Sequence, residues 1–154
     1  MVDLRPPAHD EAEALTALCL RSKAVHGYDE AFMAACRAEL TVHPGLPGRR
    51  LAVAQEGGLA VGLAEISVAG EAAQLEKLFV EPSSIGRGVG RALFAWARQE
   101  AAALGAGRLM VDADPGAEAF YRAMGAARDG VSASGSIPGR YLPRLRLDLR
   151  GTAS

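Results

Sequence analysis

The sequence predicts an α/β class domain: one mixed sheet of about seven strands, with four helices divided between its two faces. Three observations predict it. Short apolar runs of strand length alternate with segments whose apolar residues fall at helical spacing along the 154 residues. Glu56-Gly57-Gly58 and Ala69-Gly70-Glu71 join three successive strands as antiparallel hairpins. The run Leu75 to Val80 then passes through glycines at 86, 88 and 90 into a long helix that must return to another strand, a unit expected to be parallel and right-handed. No repeat, low-complexity stretch or linker divides the chain, so 1–154 is read as one domain.

Val2 to Arg5 form a short first strand, stopped by Pro6-Pro7. Asp10 is the expected N-cap of the first helix, with Glu13 three residues on as in a capping box. Leu15, Leu18, Cys19 and Ser22 then share a helical face to about Val25, and Gly27 breaks it. Phe32, Cys36 and Leu40, four apart, mark a second helix from Asp29 to about Leu40. His43 to Gly48 is turn material.

Three strands follow, about Arg50 to Gln55, Leu59 to Val68 and Ala72 to Val80. Pro82 ends the last of them. Val89, Leu93, Ala97, Ala101 and Leu104 define the long helix, stopped at Gly105, and Arg108 to Asp112 is the strand it returns to. Asp114-Pro115 is an N-cap followed by a first-turn proline, opening a helix with Ala117, Phe120, Tyr121 and Met124 on one face. Gly125 closes it. A short strand at Ala127 to Val131 precedes a last one, in which Leu145, Leu147 and Leu149 alternate with Arg144, Arg146 and Asp148. The final Gly-Thr-Ala-Ser is expected to fray.

The composition excludes more than it identifies. A formal net charge of −1 and a pI near 6.3 carry no global signal for nucleic acid or membrane partners. Arginine supplies nearly all positive charge; the lysines are Lys23 and Lys77. Cys19 and Cys36, without a C-x-x-C or a histidine cluster, are expected as reduced helix residues, with no metal and no disulfide framework. The N-terminal fifteen residues are charged where a signal peptide is apolar, and no run approaches the roughly 20 apolar residues of a membrane span. The expected location is the cytoplasm.

The strand, glycine turn and helix at 75–104 make an anion site. The first N–H groups of a helix lack partners within it, and the helix dipole places partial positive charge there, so phosphate oxygens are attracted. Glycines let a ligand approach the backbone, and Arg87 and Arg91 bracket the turn with charge-assisted donors. The G-x-G-x-G spacing is neither the dinucleotide fingerprint nor the phosphate loop of nucleotide hydrolases.

Leu78-x-Val80-x-Pro82 with Gly86-Arg87-Gly88-Val89-Gly90, followed one helix and one strand later by Ala119-Phe120-Tyr121-Arg122-x-x-Gly125, resembles the GCN5-related N-acetyltransferase (GNAT) family. The resemblance covers most of the chain. It departs at Ile85, where the family usually has Gln or Arg to open its Q/R-x-x-G-x-G/A turn.

The resemblance implies a GNAT-like fold with splayed parallel central strands, and acetyl-CoA as co-substrate. By it, the amides of Phe79 and Val80 hold the pantetheine arm, the pyrophosphate lies over Arg87, Gly88, Val89, Gly90 and Arg91, and Phe120 and Asp114 flank the donor. Tyr121 matches the tyrosine that returns a proton to the coenzyme A thiolate. The base is open between Glu76, placed by period two on the face of Leu78 and Val80, Glu65 on the neighbouring strand, and a water chain. Glu65 also counts among the substrate-side candidates.

By its place in the family fold, the wall formed by the first two helices makes His26, Tyr28 and Asp29 substrate-side candidates, and Arg140, in the small-residue loop 134–140, could pair with a substrate carboxylate. The expected activity is acetyl transfer to a primary amine of a small molecule or protein, by direct attack. The alternative is an acyl-CoA-binding sensor without transfer. Dimers are common among relatives, so a homodimer is compatible with the resemblance.

Overall fold

The computed structural model describes residues 2–149, and the expectation of a frayed 151–154 lies outside the described residues. The elements, in chain order, are β1 (Asp3–Arg5), α1 (Ala12–Ala24), α2 (Glu30–Leu40), β2 (Arg49–Glu56), β3 (Leu59–Ala69), β4 (Ala72–Val80), α3 (Val89–Ala103), β5 (Arg108–Asp112), α4 (Glu118–Ala123), β6 (Ala127–Ala133) and β7 (Tyr141–Asp148). They form one sheet in the order β1-β2-β3-β4-β5-β7-β6, antiparallel throughout except for the β4–β5 pair. The predicted mixed seven-stranded sheet with four helices is the observed one.

Apolar spacing decides which face each helix covers. Phe94, Ala97 and Ala101 of α3 are fully buried with Leu75, Leu109, Leu145 and Tyr121 on one face of the sheet. Leu15 and Cys19 of α1 meet Cys36 and Leu40 of α2, Val53 and Leu63 in a second cluster. Cys19 and Cys36 are free and buried, and burial pushes the Cys19 thiol up to about 12. Gly62 of β3 is the tight point: a Cβ there would lie 2.8 Å from a Leu93 methyl and 2.9 Å from one of Val89, so α3 settles on the sheet because the side chain is missing.

Two helix starts differ from the sequence reading. Asp10 does not cap α1. The N-cap is Glu11, whose carboxylate is taken by the Arg5 guanidinium (2.9 and 2.6 Å) and by the Ala8 N–H (3.0 Å), so the turn is closed by an ion pair from β1 and the capping box does not form. Asp114 does accept from the Gly116 N–H, but it caps a single 3₁₀ turn, Pro115–Ala117, and α4 proper starts at Glu118. Asp29, expected as the first residue of the second helix, is its N-cap, accepting from the Phe32 N–H at 2.8 Å.

The central strands splay. β4 and β5 pair from Ala72/Arg108 to Leu75/Val111 and no further, although β4 continues to Val80. Beyond β5, the Ala113 N–H turns to the Pro143 carbonyl (2.9 Å), away from β4. On the other side of β4 the register with β3 shifts between Leu75 and Lys77, leaving Glu76 as an extra residue. Such a bulge bends its strand, and this one falls where β4 leaves β5.

Candidate active site

Two spaces with shared lining residues lie where the strands splay. The outer groove, about 490 Å³, is lined by Val80, Ile85, Gly86, Gly88, Gly90, Arg91 and Phe120. The inner cavity, about 150 Å³, is lined by Glu39, Glu76, Lys77, Asp112, Asp114 and residues of α1. Ser22, Leu78, Ala117 and Tyr121 border both.

Backbone geometry equips the outer groove with the donors an anion needs. Gly88 sits at φ +84°, in the left-handed region that other residues adopt only with strain, and it has open space where a Cβ would be. The first helical bond of α3 runs from the Ala92 N–H to the Gly88 carbonyl (3.1 Å), so the amides of Val89, Gly90 and Arg91 have no helical acceptor. These groups fit a diphosphate. The two arginines part company: Arg91 lines the groove, whereas Arg87 pairs with Glu56 of the β2–β3 hairpin at 3.2 Å. Ile85 is 56% exposed at the rim.

The strand amides differ from the sequence reading. Strand amides alternate in direction, and the Glu81 N–H donates to the Val61 carbonyl (2.8 Å), so Phe79 faces β3 and only Leu78 and Val80 face the gap. The Val80 N–H is not free either: it donates to the Ser22 Oγ at 3.3 Å. Sequence reading took Ser22 as one position on a helical face. A hydroxyl among Leu15, Leu18 and Cys19 was the available signal.

Tyr121 is 6% exposed, with the rings of Phe94 and Phe120 at 5.6 and 5.1 Å. Its hydroxyl has no hydrogen-bond partner among the described residues, and the residue lines both spaces. Burial raises its pKa far above the ordinary phenol value, and the charge of Asp114 adds to the rise. The group stays protonated at neutral pH.

The carboxylates sort by the bulge. Period two had put Glu76 on the face of Leu78 and Val80; the extra residue shifts it instead to the face of Lys77, where it accepts from the Ser67 Oγ at 2.7 Å and lies 4.0 Å from Arg49. It still lines the inner cavity. Glu65, 2% exposed, is held by Lys77 Nζ at 3.2 Å and by Arg49, behind the cavity wall. Sequence reading missed Glu39, which lines the cavity and accepts from the Ser136 hydroxyl. It also missed Asp112, which Arg144 engages at 2.8 Å.

Asp114, Tyr28 and Arg140 come together as one cluster. The Tyr28 hydroxyl donates to Asp114 Oδ2 (2.7 Å) and accepts from Arg140 Nη2 (2.8 Å), while Lys23 lies 3.4 Å from the same carboxylate. Tyr28 stacks on Phe32, their ring centroids 3.9 Å apart, and Arg140 lies over both rings. Burial alone would raise the Asp114 pKa, but the Tyr28 and Gly116 hydrogen bonds and the Lys23 and His26 charges outweigh it and hold the carboxyl below its usual range. His26 lines the inner cavity beside Asp114, whereas Tyr28 and Arg140 stand behind it. No group of three or more His, Cys, Asp or Glu among the described residues could hold a metal ion.

A model of the acetyltransferase (GNAT) domain family matches residues 20–133. The chain belongs to this family. As a GNAT member it is an acetyl-CoA-dependent N-acetyltransferase.

Among solved structures, this GNAT chain is similar to a GCN5-related N-acetyltransferase from Rhodopseudomonas palustris, with 26% identity, a TM-score of 0.76 and coverage of 95% of this chain and 94% of that one. The PaiA N-acetyltransferase of Thermoplasma acidophilum, solved with coenzyme A, shares the fold at 14% identity (TM-score 0.77, 96% and 99% coverage). So does the ribosomal-protein-S18-alanine N-acetyltransferase of Escherichia coli, at 17% identity (TM-score 0.72, 97% and 94% coverage). No curated protein sequence matches the chain. No helix among the described residues is long and apolar enough to cross a membrane.

Proposed function

We propose that this GNAT enzyme moves the acetyl group of acetyl-CoA onto a primary amine, of a small molecule or a protein, by direct attack within the inner cavity. The observation that carries the reading is Tyr121: a largely buried side chain whose hydroxyl has no hydrogen-bond partner among the described residues, lining both the glycine-turn groove and a carboxylate-lined cavity. The donor supplies an activated acyl carbon and a thiolate leaving group.

Each chain group then has a part. The Val89, Gly90 and Arg91 amides and the Arg91 guanidinium hold the diphosphate, with Val80 and Phe120 as apolar walls. The carboxylates of Glu39, Glu76, Asp112 and Asp114 outnumber the ammonium groups of Lys23 and Lys77 in the cavity lining, which favours an acceptor arriving as an ammonium ion. Glu76 takes the first proton from that nitrogen, directly or through water. Tyr121 gives its proton to the departing sulfur, and the second nitrogen proton replaces it. Tyr28, Arg140 and Glu65 brace the wall from behind.

Thiol release from acetyl-CoA, measured over a panel of mono- and diamines and peptides with free amino groups, tests the reading. Turnover with at least one amine, falling in E76Q, is expected. Tight coenzyme A binding without turnover on any amine overturns it in favour of a sensor.

A further inference from the structure

The last turn of α1 bridges the splay with three consecutive side chains. Arg21 makes a two-pronged pair with Glu81 just past β4 (2.9 and 2.7 Å). Lys23 reaches Asp114 just past β5, at 3.4 Å. Between these anchors, Ser22 is placed at the border of groove and cavity, where its Oγ accepts the Val80 N–H at 3.3 Å.

A hydroxyl has one proton and two lone pairs, so a serine that accepts from an amide still has its own proton to donate. The Val80 N–H, donating to the Ser22 Oγ, polarises that hydroxyl and strengthens its next bond. No acceptor for the Ser22 proton occurs among the described residues, and the group borders the same junction as Tyr121. The amide that sequence reading assigned to the donor is thus capped by a side chain that extends its reach.

We infer that Ser22 donates its hydroxyl hydrogen bond to the acyl carbonyl oxygen of the donor, relaying the Val80 N–H to that oxygen. This rests on the transfer reading above. In the step, the amine lone pair forms the C–N bond as the carbonyl electron pair moves to oxygen, and that pair returns as the C–S bond breaks. One nitrogen proton goes to Glu76, Tyr121 protonates the thiolate and regains the other, and the Ser22 proton stays on Ser22. A donor aimed where charge develops stabilises the transition state more than the ground state.

The test compares wild type, S22A and S22T, by steady-state kinetics and by the infrared carbonyl stretch of bound acetyl-CoA carrying ¹³C at the carbonyl. S22A is expected to lose about a hundredfold to a thousandfold in kcat, with amine KM within about twofold, as for removal of one oxyanion donor. In the wild-type complex the carbonyl band lies below its position in the S22A complex, and S22T restores both rate and band.

An unchanged kcat in S22A overturns the inference, as does a fall in kcat with the band unmoved, which makes Ser22 a structural cap of Val80. Should S22A not fold, S22T and S22C bear the same comparison, because a thiol is a weak donor. A wild type that turns over normally while the band is indifferent to residue 22 overturns this inference alone. A wild type that binds no acetyl-CoA overturns the transfer reading and this inference together.

Discussion

Tyr28 and Asp114 lie 86 residues apart in the chain, and the hydroxyl of one donates to the carboxylate of the other at 2.7 Å. That bond, with Arg140 and Lys23 around it, ties the α1–α2 connection and the loop before β7 to the start of the 3₁₀ turn after β5. Removing only the Tyr28 hydroxyl in Y28F is expected to cost about 1 kcal/mol, whereas D114N leaves Lys23 and Arg140 without their shared carboxylate and costs about 2 kcal/mol or more. Urea unfolding of the two variants measures the difference, and equal losses would contradict it.

Y121F should slow turnover about a hundredfold while leaving the calorimetric affinity for coenzyme A within a factor of about two. The phenyl ring keeps its packing against Phe94 and Phe120, so the loss is of a proton and not of a fold.

Alkaline pH should weaken the fold through the same tyrosines. Burial, then the Asp114 bond, pushes Tyr28 up to about 12, and burial raises Tyr121 further. A phenol with a raised folded pKa contributes stability that is complete below the unfolded value of about 10 and is lost as pH rises through the folded one. Urea midpoints at pH 8, 10 and 11.5 should therefore hold from the first to the second and fall at the third, and the Y28F, Y121F double variant should show a shallower fall.

Arg91 and Arg87 should separate on calorimetric titration with coenzyme A. R91A is expected to weaken binding about tenfold, as loss of a charge-assisted contact does, and R87A by about twofold or less because Glu56 already engages that guanidinium.

G62A should damage both stability and donor binding. The new methyl meets Leu93 and Val89 below 3.0 Å, and relief requires α3 to lift from β3 at the end that carries the glycine turn. A loss of about 1–3 kcal/mol and weaker coenzyme A binding are expected, in contrast to R91A, which should weaken binding at unchanged stability.

Much of the molecule was legible in the order of residues. The hairpin glycines, the helical apolar spacing of 89–104 and the alternation at 144–149 are local patterns with local causes, and β2, β3, β4, α3 and β5 fall within a residue or so of their expected bounds. The α1 cap was misread because its partner, Arg5, comes from another element. Glu76 was misread because period two holds only while the register does, and a bulge is set by the pairing of two strands.

The amino-acid sequence by itself determined the mixed sheet, its parallel crossover and the glycine turn at a helix start, since each follows from side-chain periodicity and backbone freedom within one stretch of chain. Only the tertiary structure decided which amide faces the gap, that Arg87 turns to Glu56, that Asp114 gathers Tyr28, Lys23 and Arg140, and that Ser22 caps Val80. Those outcomes depend on distances between residues far apart in the chain, and such distances exist only once the layers have packed.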